Sequence, residues 1–131
     1  MNLNDWNEIV SGLSNPDVPT CVEAASKLYA RAAPEDIPQL LPLLESDDFF
    51  VREAAAWPLA ALAGPAALPQ LLKAYQRGFD EGHDNDGFSA ALLEIPALFG
   101  PEAARVIAEL AETTEGEIRS HALWLLEFCE A

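Results

Sequence analysis

Apolar residues recur along the chain at intervals of three and four, and the segments in which they do so are themselves repeated. Over residues 48–78, Val51, Ala55, Leu59 and Leu62 share one helical face, and Gly64 and Pro65 then interrupt it. Leu68, Leu71, Leu72 and Tyr75 resume the pattern as a second amphipathic stretch ending near Gly78. No segment alternates with the period of two that marks a half-buried strand. Ile37-Pro38-Gln39-Leu40-Leu41 returns 31 residues later as Leu68-Pro69-Gln70-Leu71-Leu72, and the same offset carries Pro34 onto Pro65. An offset of 36 then places Gly64-Pro65 on Gly100-Pro101, and another of 31 places Asp48 through Arg52 on Glu115 through Arg119 and Trp57 on Trp124. The pattern predicts an all-α chain in a single domain, 1–131: a capping helix over 5–13, then helical-hairpin units over about 17–46, 48–78, 84–113 and 115–130. The last unit reduces to one helix from about Gly116 to Phe128.

Local chemistry fits these boundaries. Asp17, Asp48, Asp84 and Glu115 hold one repeat position just ahead of an apolar run, where an acidic side chain caps or favours a helix N-terminus. Pro34, Pro65 and Pro101 suit the first turn of each second helix, where a missing N–H costs nothing. Pro58 lies inside a helix, where the lost bond to the Ala54 carbonyl predicts a kink at a cost of ~3 kcal/mol. That helix is apolar around most of its circumference, with Phe50, Trp57 and Ala61 opposite Ala55. Neighbouring units bury this side if Trp57, Leu93 and Trp124 stack as a ladder; otherwise Phe50 and Trp57, with Phe49 beside them, form an exposed aromatic anchor for a partner.

Asp48-Phe49-Phe50-Val51-Arg52-Glu53-Ala54-Ala55 resembles the Asp-x-x-Val-Arg-x-x-Ala signature of short HEAT and HEAT-like repeats, and Glu115-Gly116-Glu117-Ile118-Arg119-Ser120-His121-Ala122 is a looser copy. Thr20-Cys21 and Gly87-Phe88 replace the Val-Arg pair in the other two units. The resemblance implies a right-handed α-solenoid of about four HEAT-like hairpins. It also implies that Asp48, Arg52, Glu115 and Arg119 knit units together rather than contact a partner.

Charge narrows the function. Seven Lys and Arg against 22 Asp and Glu give a net charge of −15, whose field repels nucleic acid and anionic lipid. No apolar run reaches the ~18 residues of a membrane span, and Met1-Asn2-Leu3-Asn4-Asp5 lacks the features of a secretory signal, so a cytoplasmic location is expected. Cys21 and Cys129 have no metal-ligand spacing and read as small buried hydrophobes. His83 and His121 have no Ser or Cys arranged beside them as an activated nucleophile, and His121 reads as a partly exposed surface residue. Among enzymes of HEAT-like build, the charge argues against DNA glycosylases and the size against bilin lyases. No catalytic residue and no cofactor are expected.

The segment from Gly78 to Gly87 carries the insertion that stretches one offset from 31 to 36. Aligned on Gly87, an EF-hand fails, because Gly82 and Leu93 replace its first and last acidic ligands. His83, Asp80 and Asp84 would lack a further ligand, so no metal site is expected. With Glu45, Asp47, Asp48, Glu53 and Glu94, the loop acids predict an acidic rim. The leading expectation is a non-enzymatic module that captures a basic protein, in the manner of a bacterial immunity protein occluding a toxin. Its contacts would be Phe49, Phe50, Trp57, Asp80, Glu81, His83, Asp84 and Asp86. The alternative is a scaffold or adaptor that binds a helix or peptide along the concave second helices, through Gln39, Gln70, Lys73 and Arg77.

Overall fold

A computed structural model describes residues 1–129. Helices are the only regular secondary structure among them. Helix α1 (Leu3–Leu13) and helix α2 (Val18–Arg31) begin at Asn2 and Asp17, whose side chains accept from the N–H groups of Asp5 and Thr20. Helix α4 (Phe49–Leu62) is capped in the same way by Asp48, which accepts from Phe50 at 2.9 Å. Glu115 occupies the cap position of helix α7 (Gly116–Leu126) without a side-chain bond.

The second half of the first unit is not one helix. A 3₁₀ turn (Pro34–Asp36), the short helix α3 (Ile37–Leu40) and another 3₁₀ stretch (Leu41–Glu45) take its place. Pro38 and Pro42 explain this, because Pro42 has no N–H to return to the Pro38 carbonyl and consecutive α-helical turns cannot both close. The equivalent helix α5 (Leu68–Asp80) has Pro69 only at its start and runs unbroken for 13 residues. Pro58 is buried inside α4, and the helix continues past it to Leu62. Packing from both sides holds α4 together across the missing donor.

Helix α4 is the centre of the fold, with α2 on one side and α6 (Asp86–Thr113) on the other. Eight of its 14 residues are buried, which accounts for its apolar circumference. Ala54, Ala55, Ala56 and Ala60 are all buried and let the flanking helices approach closely. Leu28, Leu40, Leu59, Leu68, Leu71, Leu72, Phe88, Leu92, Ile95 and Ile107 complete the core around it. Two glycines turn the chain between paired helices: Gly64 at φ +58° after α4, and Gly100 at φ +46°, which breaks α6 in two ahead of Pro101. The Phe99 ring packs on Gly64 so closely that a Cβ there would lie 2.6 Å from it.

The three residues at the Trp57 position do not form a ladder. Trp57 meets Tyr29 edge-on at 6.1 Å, whereas Trp124 stacks on Tyr75 at 6.0 Å and touches Phe128. The reason is that α7 packs on α5 as well as on α6, so its tryptophan faces a second-helix residue. Cys21 and Cys129 are half-buried rather than part of the core, their thiols directed at the Val18 and Leu125 carbonyls.

Candidate protein-binding site

The loop from Gly78 to Gly87 is fastened down by hydrogen bonds of both its backbone and its side chains. The His83 N–H donates to the Gly78 carbonyl at 2.9 Å, and the buried Asn85 amide donates to the Tyr75 carbonyl at 3.0 Å. Asn85 lies over Gly78, where any Cβ would run into its Oδ1. A side chain at position 78, near the end of α5, would therefore displace the Asn85 amide from the Tyr75 carbonyl. Asp84 accepts from the Asp86 N–H at 2.9 Å and leads the chain into α6.

Glu81 ties this loop to the start of α4. Its Oε1 accepts from Arg52 Nη2 at 2.7 Å and its Oε2 from Arg77 Nε at 2.8 Å. Arg52 is fully buried and also donates through Nη1 to the Ser46 carbonyl at 2.8 Å, while its Nε has no partner among the described residues. Arg77 reaches the Ser46 carbonyl and Asp47 Oδ1, at 3.2 and 2.7 Å. The two guanidinium groups thus join the 45–47 turn, α4, α5 and the loop through one carboxylate. Arg77 and then Arg52 hold the Glu81 carboxyl down at about 2, and Asp47 and Glu81 in turn raise the pKa of Arg77. Above the ordinary carboxylate value of 4.5 this anchoring is complete, and it is lost as pH falls toward about 2.

The residues expected at a partner surface divide into three groups. Phe49, Glu81 and His83 come together: the Phe49 and His83 rings stack at 4.4 Å, Arg52 lies 5.5 Å from the Phe49 centroid, and His83 Nε2 is 3.4 Å from Glu81. Asp80, Asp84 and Asp86 are exposed on the same edge, Asp80 accepting from Gln76. Phe50 and Trp57 lie apart from them, half-buried in a groove with Val22, Ala25, Ser26, Tyr29 and Ala54. Of the repeat-signature residues, Asp48 caps α4 and Arg52 is buried, whereas Glu115 and Arg119 are both exposed.

Glu53 sits between α4 and the first turn of α6, its carboxylate at the place a Gly87 Cβ would occupy. Burial and then the nearby Asp84 push its carboxyl above the ordinary 4.5. A raised acid opposes folding when charged, so its penalty is present above the raised value and is relieved as pH falls to 4.5. Glu53→Gln is therefore expected to be more stable than wild type at pH 7, with the gap in Tm closing by about pH 4.5. Melting curves of the two proteins across that range check this, and a constant gap would contradict it. His121, half-buried against Tyr75 and Phe79, has its pKa lowered by burial, an effect common to both proteins.

A second concavity, of about 740 Å³, runs along the inner face of α5. Leu41, Leu44, Ala74 and Ile118 contribute apolar lining, with Glu45, Gln70, Lys73, Arg77 and Asp80 around them. Gln39 is exposed but outside this lining. Pattern reading of the sequence did not single out Val22, Tyr29 or Ile118. For α2 the signal was present: Val18, Val22, Ala25 and Tyr29 form an apolar stripe distinct from the buried Ala24 and Leu28.

Among the described residues there is no cluster of three side chains able to hold a metal ion, and no helix is long and apolar enough to cross a membrane. No curated protein and no solved structure matches the chain. A family model described as HEAT repeats matches residues 7–84, more than half of its length. On that match, and on the paired helices that the same residues form, the chain belongs to the HEAT repeat family.

Proposed function

We propose that this chain is a non-enzymatic, acidic protein-binding module that captures a basic protein and covers its working surface, as an immunity protein covers a toxin. HEAT repeats generally mediate protein–protein interaction. In this reading the helices form a right-handed solenoid of about four units across residues 1–131, acting in the cytoplasm. The observation that carries the proposal is the charge of −15 combined with an edge on which Asp47, Asp48, Asp80, Asp84 and Asp86 are all exposed. Of these five, Asp47 alone is in an ion pair among the described residues, with Arg77. Such an edge attracts a basic surface over a distance and speeds encounter.

The test leaves Glu81 in place, because that carboxylate holds Arg52 and Arg77. Wild type and an Asp80→Lys, Asp86→Lys variant are used side by side to retain proteins from source cells at low and high salt. The expected result is a basic protein held by wild type at low salt and lost both in the variant and at high salt. Retention of an acidic partner, or equal retention by both proteins, would sink the proposal.

The 740 Å³ concavity favours a second reading, a scaffold that binds a helix or peptide along its inner face. Lys73 in its lining is exposed and has no ion-pair partner among the described residues. A partner lost on Lys73→Glu but insensitive to salt would move the assignment there.

A further inference from the structure

We infer that the groove between α2 and α4 is the docking site for an amphipathic segment of the basic partner, with an aliphatic or aromatic side chain packed onto Tyr29 and Trp57 and lysine or arginine flanking it. The inference rests on the reading of the chain as a module for a basic protein, and assigns the apolar half of that recognition to a place.

The groove has a volume of about 490 Å³ and is lined by Val22, Ala25, Ser26, Tyr29, Phe50, Ala54 and Trp57, none of them charged. Val22 is 50% exposed and Tyr29 47%, and Val18, in the first turn of the same helix, is 67% exposed. Tyr29 and Trp57 meet edge-on across it. Tyrosine and tryptophan are the residue types on which interface energy concentrates, since each removes much apolar area from water while keeping a polar tip. Apolar side chains this exposed at helical spacing are not needed for the core, which Ala24 and Leu28 serve from another face of α2.

Charge decides what covers the groove. The cations of α2, Lys27 and Arg31, face the opposite cleft, which they share with Asp5, Glu8 and Glu23 of α1 and α2. There Lys27 pairs with Glu23 and Arg31 with Asp5. The cation of α4, Arg52, is buried and held by Glu81. Among the described residues, the charges of α2, α4 and their caps left without an ion-pair partner are therefore Asp17, Asp48 and Glu53, all negative; Glu53 packs against Gly87 of α6, and Asp17 and Asp48 are exposed. A segment that is apolar on one side and basic at its margins is complementary to that arrangement. A second copy of the chain is not, because it would bring the same exposed carboxylates, Asp17 and Asp48, and another net charge of −15, against the first.

The probe is a synthetic amphipathic helix of leucine and lysine, with a leucine and glutamate counterpart as its control, titrated calorimetrically into the wild-type protein. The lysine peptide is expected to bind and the glutamate peptide not. Val22→Glu and Tyr29→Ala, both at exposed positions, are expected to weaken binding by about tenfold or more. Leu98→Glu, at a 58% exposed leucine on α6, is expected to leave it unchanged. Circular dichroism of each variant confirms that it is folded. If the peptide binds wild type and Val22→Glu equally but is lost in Asp80→Lys, Asp86→Lys, the acidic edge holds it; the groove assignment then falls while the basic-partner reading stands. Equal binding of both peptides, or of neither, overturns the groove assignment, leaving that reading to the retention experiment. A concentration-dependent dimer in sedimentation that disappears in Val22→Glu also overturns it, in favour of a second copy.

Discussion

Arg52→Ala is expected to lower the free energy of unfolding by about 3 kcal/mol and Tm by roughly 10 °C. The guanidinium is fully buried, joined to Glu81 Oε1 at 2.7 Å and to the Ser46 carbonyl at 2.8 Å. Opening a buried ion pair typically costs about 3–5 kcal/mol. The lower end applies because Glu81 keeps Arg77 and is itself partly exposed. The unpartnered Nε does not reverse the sign, since alanine would also leave a cavity where a large side chain packs against Phe49. Arg119 holds the same place in the fourth unit but is exposed, so Arg119→Ala is expected to stay within about 0.5 kcal/mol of wild type. Urea unfolding of the two variants decides the matter, and equal losses would mean that burial does not separate the two copies of the signature.

Gly64→Ala is the other substitution with a large expected effect, a loss of about 2–5 kcal/mol. Two costs combine. The left-handed backbone at φ +58° penalises any Cβ by about 1–2 kcal/mol. The added methyl would also meet the Phe99 ring at 2.6 Å, an overpacking that costs about 1–3 kcal/mol. Gly82 separates the two contributions, because it too is left-handed, at φ +78°, but faces open space. Gly82→Ala is therefore expected to cost only about 1 kcal/mol. In a Phe99→Ala background, Gly64→Ala should likewise fall to its backbone share. A Gly64→Ala protein as stable as Gly82→Ala would refute the packing argument.

Much of the fold was legible because each feature is announced by one residue. Asp17 and Asp48 cap the helices they precede, Gly64 and Gly100 turn the chain, and the five-residue recurrence around Pro38 and Pro69 marks corresponding second halves. Where two residues act jointly, the pattern misled. Pro38, one turn past the first-turn Pro34, reads as tolerable by itself, but with Pro42 one turn later it replaces a helix by 3₁₀ stretches. Trp124 shares a repeat position with Trp57, yet its neighbour is set by how α7 sits on α5 and not by periodicity.

The candidate surface was less legible than the fold for the same reason. Sequence composition makes every loop acid equivalent, and distinguishing Glu81 requires knowing that guanidinium groups 29 and 4 residues away converge on it. Phe50 and Trp57 stand out in the sequence, but their partners across the groove, Val22 and Tyr29, lie on a separate stripe of a different helix, and only the packing of α2 on α4 joins the two.

The clasp at Glu81 and the Asn85 cover on Gly78 also bear on the kinetics and heat of recognition. A flexible insertion surrenders conformational entropy when a partner orders it, and that loss offsets part of the contact energy. In this protein those bonds hold the 78–87 segment in place on folding, so under the proposed function Asp80, Asp84 and Asp86 would meet a partner as a fixed template rather than as a loop awaiting shape. Loosening the clasp without removing an exposed carboxylate should therefore leave long-range attraction intact while shortening the lifetime of the complex.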